Sequence, residues 1–126
     1  MDDTERRARI RRFWEDTVRD HEAAHEIYHD DAILEFPQSG ERFEGVASFK
    51  EWRSQYPAEE LALEMRNLRG QGDVWVVEGA ISYDGGSWQP AVDILEFRGD
   101  KVARETIYVT EPWEAPEWRA AWRAAP

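Results

Sequence analysis

Ile10, Phe13, Trp14 and Val18 recur at the spacing of one helix face, and the positions between them carry arginine, glutamate and aspartate. This predicts an amphipathic helix from about residue 4, with Thr4 as N-cap, to about residue 19, with Asp20 as the break. A second, short helix is expected over residues 21–29, with Ala24, Ile27 and Tyr28 turned inward. Asp30 and Asp31 interrupt it. Ala32, Leu34 and Phe36 then alternate with Ile33 and Glu35 at the strand period of two, up to Pro37 and Gly40. After Phe43, Glu44 and Gly45 the apolar spacing returns to that of a helix, at Val46, Phe49, Trp52 and Arg53.

Beyond Pro57 the pattern is strand after strand. Leu61, Leu63 and Met65 alternate with Ala62, Glu64 and Arg66; Gly70 to Asp73 turn the chain; residues 74–83 form a long second strand, closed by the Asp84-Gly85-Gly86 turn. A third strand is expected over about 87–97 and, past Gly99-Asp100, a fourth over 102–109. Both faces of this meander carry apolar residues: Trp75, Val77 and Ile81 on one side of the second strand, Val74, Val76 and Ala80 on the other. Three helices can cover only one face. The other, which includes Val92 and Ile94, therefore predicts a homodimer packed through the outer face of the sheet. The tail, residues 111–126, is rich in tryptophan; Pro116 suits the first turn of a short helix with Trp118 and Trp122 on one side, which should dock as a cover on the sheet edge or as a lid.

Composition narrows the class. A single domain over residues 1–126 is expected from the length, and a formal net charge of -11 disfavours nucleic acid and anionic membranes as partners. The arginine run at Arg6, Arg7, Arg9, Arg11 and Arg12 is interleaved with acids and reads as a solvated helix face. Without cysteine there is neither a disulfide framework nor a thiol nucleophile. No apolar run approaches the roughly 20 residues that span a bilayer, so a cytoplasmic protein with no membrane partner is the expectation. Seven tryptophans, four tyrosines and five phenylalanines exceed what a compact core of this size accommodates, which points to an aromatic cavity or interface. His21, His25 and His29 recur every four residues, but no carboxylate completes a ligand set; no metal and no cofactor are expected. Gly79 inside a strand suggests a bulge or room for a ligand.

Helices first, a DDAILEF strand followed by FEGVASFKEW, and a closing VDILEFRGDKVARETIYV together resemble the nuclear transport factor 2-like superfamily, in its SnoaL-like and ketosteroid-isomerase-like branch. The resemblance spans nearly the whole chain. It implies an α+β fold of the cystatin-like type, a cone in which a curved, mostly antiparallel mixed sheet wraps around three N-terminal helices and holds an apolar cavity at its open end. In that architecture Phe36, Trp52, Tyr56, Val77 and Ile81 converge on the concave side, with Trp14 and Tyr28 at core or cavity positions. Of three roles known from ketosteroid isomerases, the carboxylate base falls on Phe36 and the oxyanion tyrosine on Phe13, so both are lost. The acidic oxyanion donor falls on Asp93 and is kept.

Asp93 also stands out without the resemblance, because a carboxylate shares a strand face with Ala91, Leu95 and Phe97. Two roles are open to it: a structural partner of Arg104 or of a backbone group, or a pocket acid with a raised pKa. Which of Glu105, Thr106 and Tyr108 joins it depends on the register at the Gly99 turn; Tyr108, whose hydroxyl can donate to a substrate oxygen, is the expected catalytic partner. The functional expectation is a protein that binds a small hydrophobic molecule, as a cofactor-independent lyase, isomerase or cyclase on a carbonyl or polyketide-like compound. The alternative is a non-catalytic ligand-binding or dimerisation module.

Overall fold

A computed structural model of the chain describes residues 1–125; Pro126, the last residue of the tail, lies outside the described residues. Helix α1 (Asp3–Arg19) starts two residues earlier than expected. Asp2, not Thr4, is its N-cap, in a reciprocal capping box with Glu5. Helix α2 (His21–Ala24) runs into a 3-10 turn (His25–Ile27), and strand β1 (Tyr28–Phe36) begins at once. Tyr28 therefore opens a strand instead of closing a helix, and Asp30 and Asp31 sit exposed within that strand. A short strand β2 (Glu41–Glu44), hidden in a charged stretch that shows no alternation, pairs with β1 and leads into α3 (Val46–Ser54).

The meander follows as β3 (Leu61–Gln71), β4 (Val74–Tyr83), β5 (Gln89–Arg98) and β6 (Lys101–Val109). All six strands form one sheet in the order β2-β1-β6-β5-β4-β3, antiparallel except where β1 lies parallel to β6. The result is an α+β cone, with the helices against the concave face. Ile10, Phe13, Trp14, Ile27, Leu34, Phe49, Trp75, Val77, Leu95 and Val102 pack together as its core.

Two bulges in the meander β3–β6 set which of its side chains face inward. On β3, Met65 pairs with Gly79 and Asn67 with Glu78, so Arg66 is the extra residue. On β6, Phe97 pairs with Val102 and Glu96 with Arg104, so Ala103 is extra. Past each bulge the period of two changes face. Gly79, opposite the first bulge, leaves room for Trp14 and not for a ligand: a Cβ there would lie 2.2 Å from the Glu64 carbonyl oxygen and 3.0 Å from the Trp14 ring. Gly79→Ala should therefore cost about 1–3 kcal/mol by overpacking, read as a lower midpoint in urea unfolding with unchanged slope. An unchanged midpoint would mean that the β3 bulge yields freely.

The tail does not dock. Among its described residues only the first is tied to the sheet by side-chain hydrogen bonds, the Glu111 carboxylate accepting from Ser87 Oγ at 3.0 Å and Gln89 Nε2 at 2.9 Å. A six-residue 3-10 segment (Glu117–Trp122) follows Pro112 and Pro116, and Trp113, Trp118 and Trp122 are 77, 74 and 80% exposed. Two prolines steer the chain away from β6, and so short a segment cannot turn a continuous apolar stripe back onto the sheet. No helix among the described residues is long and apolar enough to cross a membrane.

Candidate functional site

The open end of the cone holds a cavity of about 560 Å³. One wall is an aromatic cluster in which Trp52 of α3 lies 5.2 Å from Phe43 and 5.9 Å from Phe36, centroid to centroid. At the rim Tyr56 stacks on Tyr83 at 5.2 Å. Trp14, Ile81 and Ile107 belong to the apolar lining, and Glu41, Glu59 and His21 contribute polar groups. Five of the residues singled out from sequence for ligand contact thus line one cavity: Phe36, Trp52, Tyr56, Ile81 and Trp14. Val77 and Tyr28 do not; both are buried in the core behind it.

The floor is polar. Asp93 on β5 and Glu105 on β6 are buried and reach the cavity from adjacent strands. The Glu105 carboxylate accepts a short hydrogen bond from the Tyr28 hydroxyl and lies 3.7 Å from Nη2 of Arg53. Arg53 projects from the last turn of α3, where its guanidinium faces the rings of Tyr28, Phe49 and Trp52. Its Nη1 donates to Tyr28 Oη at 3.3 Å and to His25 Nε2 at 3.2 Å. The tautomer of His25 follows from its other nitrogen. A carbonyl oxygen can only accept, so Nδ1 carries the hydrogen that bonds to the His21 carbonyl, and Nε2 is left as the acceptor for Arg53.

These contacts distribute the charges. Burial would lower Arg53, but Tyr28 and Glu105 hold it protonated, above its ordinary value. Burial holds His25 below its ordinary value, with Arg53 adding repulsion, so the imidazole is neutral. Burial, reinforced by the Glu105 charge, pushes Tyr28 well up and keeps its hydroxyl a donor. Asp93 Oδ1 and Glu105 Oε2 are both shut off from solvent without a hydrogen-bond partner. Burial, then the charge of Glu105 beside it, raises Asp93 well above the carboxylate range. Of the two carboxyls, Glu105 has the cation and the phenol, so it takes the negative charge; Asp93 has neither and takes the proton.

Arg104 plays no part in this. It faces outward, pairing with Glu35 and, at 3.9 Å, with Glu96. Tyr108 also faces outward, opposite Val92 and 40% exposed, and does not join Asp93. Counting in twos from Val102 places Arg104, Thr106 and Tyr108 inside; the bulge at Ala103 shifts the count by one and puts Glu105 and Ile107 there instead. The three histidines do not share a helix face, since the helix ends before His29, whose Nε2 bonds the Arg98 carbonyl oxygen.

A helix-lined cone with a curved mixed sheet and a cavity at its open end is the nuclear transport factor 2-like fold, and comparison with solved structures agrees. An NTF-2 like protein of unknown function from Burkholderia xenovorans LB400 is 38% identical, with a TM-score of 0.89 over 100% of this chain and 98% of that one. A putative ketosteroid isomerase from Kribbella flavida DSM 17836 shares 24% identity, with a TM-score of 0.87 over 98% of this chain and 90% of that one. For a putative polyketide cyclase from Sinorhizobium meliloti the values are 21% and 0.68, over 80% and 94%. The last two likenesses are of fold. The SnoaL-like domain matches residues 10–105, and the chain belongs to that family. No curated protein matches it.

Proposed function

We propose that the cavity binds a small hydrophobic carbonyl compound of polyketide-like character, and that the protein is a cofactor-independent isomerase, cyclase or lyase acting through its enol form. The observation that carries this reading is the pair of buried carboxyls on the floor of an apolar cavity, of which Glu105 faces the Arg53 cation and the Tyr28 hydroxyl and Asp93 faces neither. A neutral carboxylic acid at that position donates a hydrogen bond to a carbonyl oxygen and gains strength as negative charge develops there. Glu105, fixed by Tyr28 and Arg53, keeps the proton on Asp93 until a substrate oxygen arrives; as Asp93 gives that proton to the oxygen, the Glu105 carboxylate, its Oε2 free, takes the proton from the neighbouring carbon, and the two carboxyls exchange roles on the way to product. Phe36 stands where ketosteroid isomerases carry their base, so steroid isomerisation by that route is not part of the proposal. The test is exchange in D₂O: aryl and polycyclic ketones incubated with the protein are followed by NMR for loss of the proton next to the carbonyl, or for rearrangement. Acceleration supports an enzyme; binding without exchange would reduce the site to a ligand carrier.

The same reading includes a homodimer. Val74 is 49% exposed on the outer sheet face, alongside the partly exposed Val76, Val92 and Ile94, and the helices pack on the opposite face. Val92→Asp should yield monomers or insoluble protein in light scattering. A parent chain that is already monomeric at high concentration would remove this interface.

A further inference from the structure

Resting on the reading of the cavity as a small-molecule site, we infer that it selects uncharged ligands, and that Glu105 is the specificity-determining residue because it occupies the anion site that Arg53 would otherwise offer. Arg53 is a planar donor set in a pocket with aromatic walls, the arrangement that suits a ligand carboxylate. The protein fills it from within: Glu105 takes Nη2, while His25 and Tyr28 take Nη1. His25 has no charge to spare, since Nδ1–H is spent on the His21 carbonyl and Nε2 accepts from Arg53.

An incoming carboxylate would therefore lose its hydration beside a second carboxylate, that of Glu105, with Glu41 and Glu59 at the rim. His21, the remaining basic residue of the lining, is exposed on α2 and offers only a screened contact. A ketone or hydroxyl oxygen meets none of these costs.

Two near-isosteric probes separate the cases: 2-acetylnaphthalene, which is neutral, and 2-naphthoate, which is ionised at neutral pH. Calorimetry on the wild-type protein should show the ketone binding and the carboxylate weaker by about 100-fold. In Glu105→Gln the gap should narrow, naphthoate gaining at least ~10-fold and raising the melting temperature of the variant, because the ligand now supplies the charge that Arg53 lost. Should the variant fold poorly alone, its refolding yield in naphthoate against acetylnaphthalene gives the same comparison. Naphthoate equal to or tighter than the ketone on the wild type, or no gain in Glu105→Gln, would overturn the inference and leave the small-molecule reading standing. Failure of both probes to bind the wild type would bring down both.

Discussion

Replacing Asp93 with asparagine should lower turnover, or proton exchange next to a ketone, by about 10²- to 10⁴-fold while leaving the fold intact. The amide keeps the size of the carboxylic acid and can donate to the unpartnered Glu105 Oε2, but it has no proton to transfer. Stability should respond in the opposite sense to activity. Asp93 has a folded-state pKa raised by burial and by Glu105 above the value of about 3.9 expected for the unfolded chain. Between those two values the native state holds a proton that the unfolded state has released, so its contribution to stability is full below about pH 4 and is lost as pH rises toward the folded pKa. In that window each pH unit costs the wild type up to about 1.4 kcal/mol, and Asp93→Asn lacks that slope. Melts of both proteins between pH 4 and neutrality should diverge in favour of the variant. A variant that melts far below the wild type at every pH, with exchange unaffected, would make Asp93 a structural residue.

Arg53→Met should have the largest effect on stability. It removes the one buried cation facing Glu105 while keeping most of the aliphatic stem, and the carboxylate is left with only the Tyr28 hydroxyl. Stranding a buried charge costs about 3–5 kcal/mol, on the order of 10–20 °C in melting temperature for a domain of this size. Adding Glu105→Met should return much of the loss, since an apolar pair of similar volume replaces an ion pair at little cost. If the double variant melts no higher than Arg53→Met, the two charges are not coupled, and the assignment of the proton to Asp93 loses its basis.

The fold was legible because its signals are long. The 74–83 strand is a long run rich in β-branched and aromatic residues and matches β4 (Val74–Tyr83), and the Asp84-Gly85-Gly86 turn stands where expected. Asp93 was legible for a different reason: a carboxylate among apolar neighbours on a strand needs an explanation wherever the strand lies. Glu105 gave no such signal. It lies in the charged stretch Arg104-Glu105, and only the bulge at Ala103 decides that it faces inward while Arg104 faces out. A bulge is settled by the pairing of two strands and leaves no mark in either one. Arg53 was visible on the inner side of α3 as a spacing, but its role depends on β1 and β6 arriving beside it. For the tail, composition misled: tryptophans four apart suggest a buried stripe, and the prolines that prevent it carry the stronger constraint.

The floor of the cavity has a consequence for how the protein comes into being. His25 comes from the turn before β1, Tyr28 from β1, Arg53 from α3, Asp93 from β5 and Glu105 from β6, and the Tyr28–Glu105 hydrogen bond joins positions 77 apart in sequence. On a ribosome, the first half of the chain is made long before its partner strand, and β1 has only the short β2 to pair with until β6 emerges to lie parallel to it. Until then the buried arginine and its carboxylate are solvated and apart. The chemistry of the cavity therefore has no precursor in any fragment: a nascent or truncated chain ending before Glu105 carries the aromatic wall but neither the ion pair nor the proton it controls.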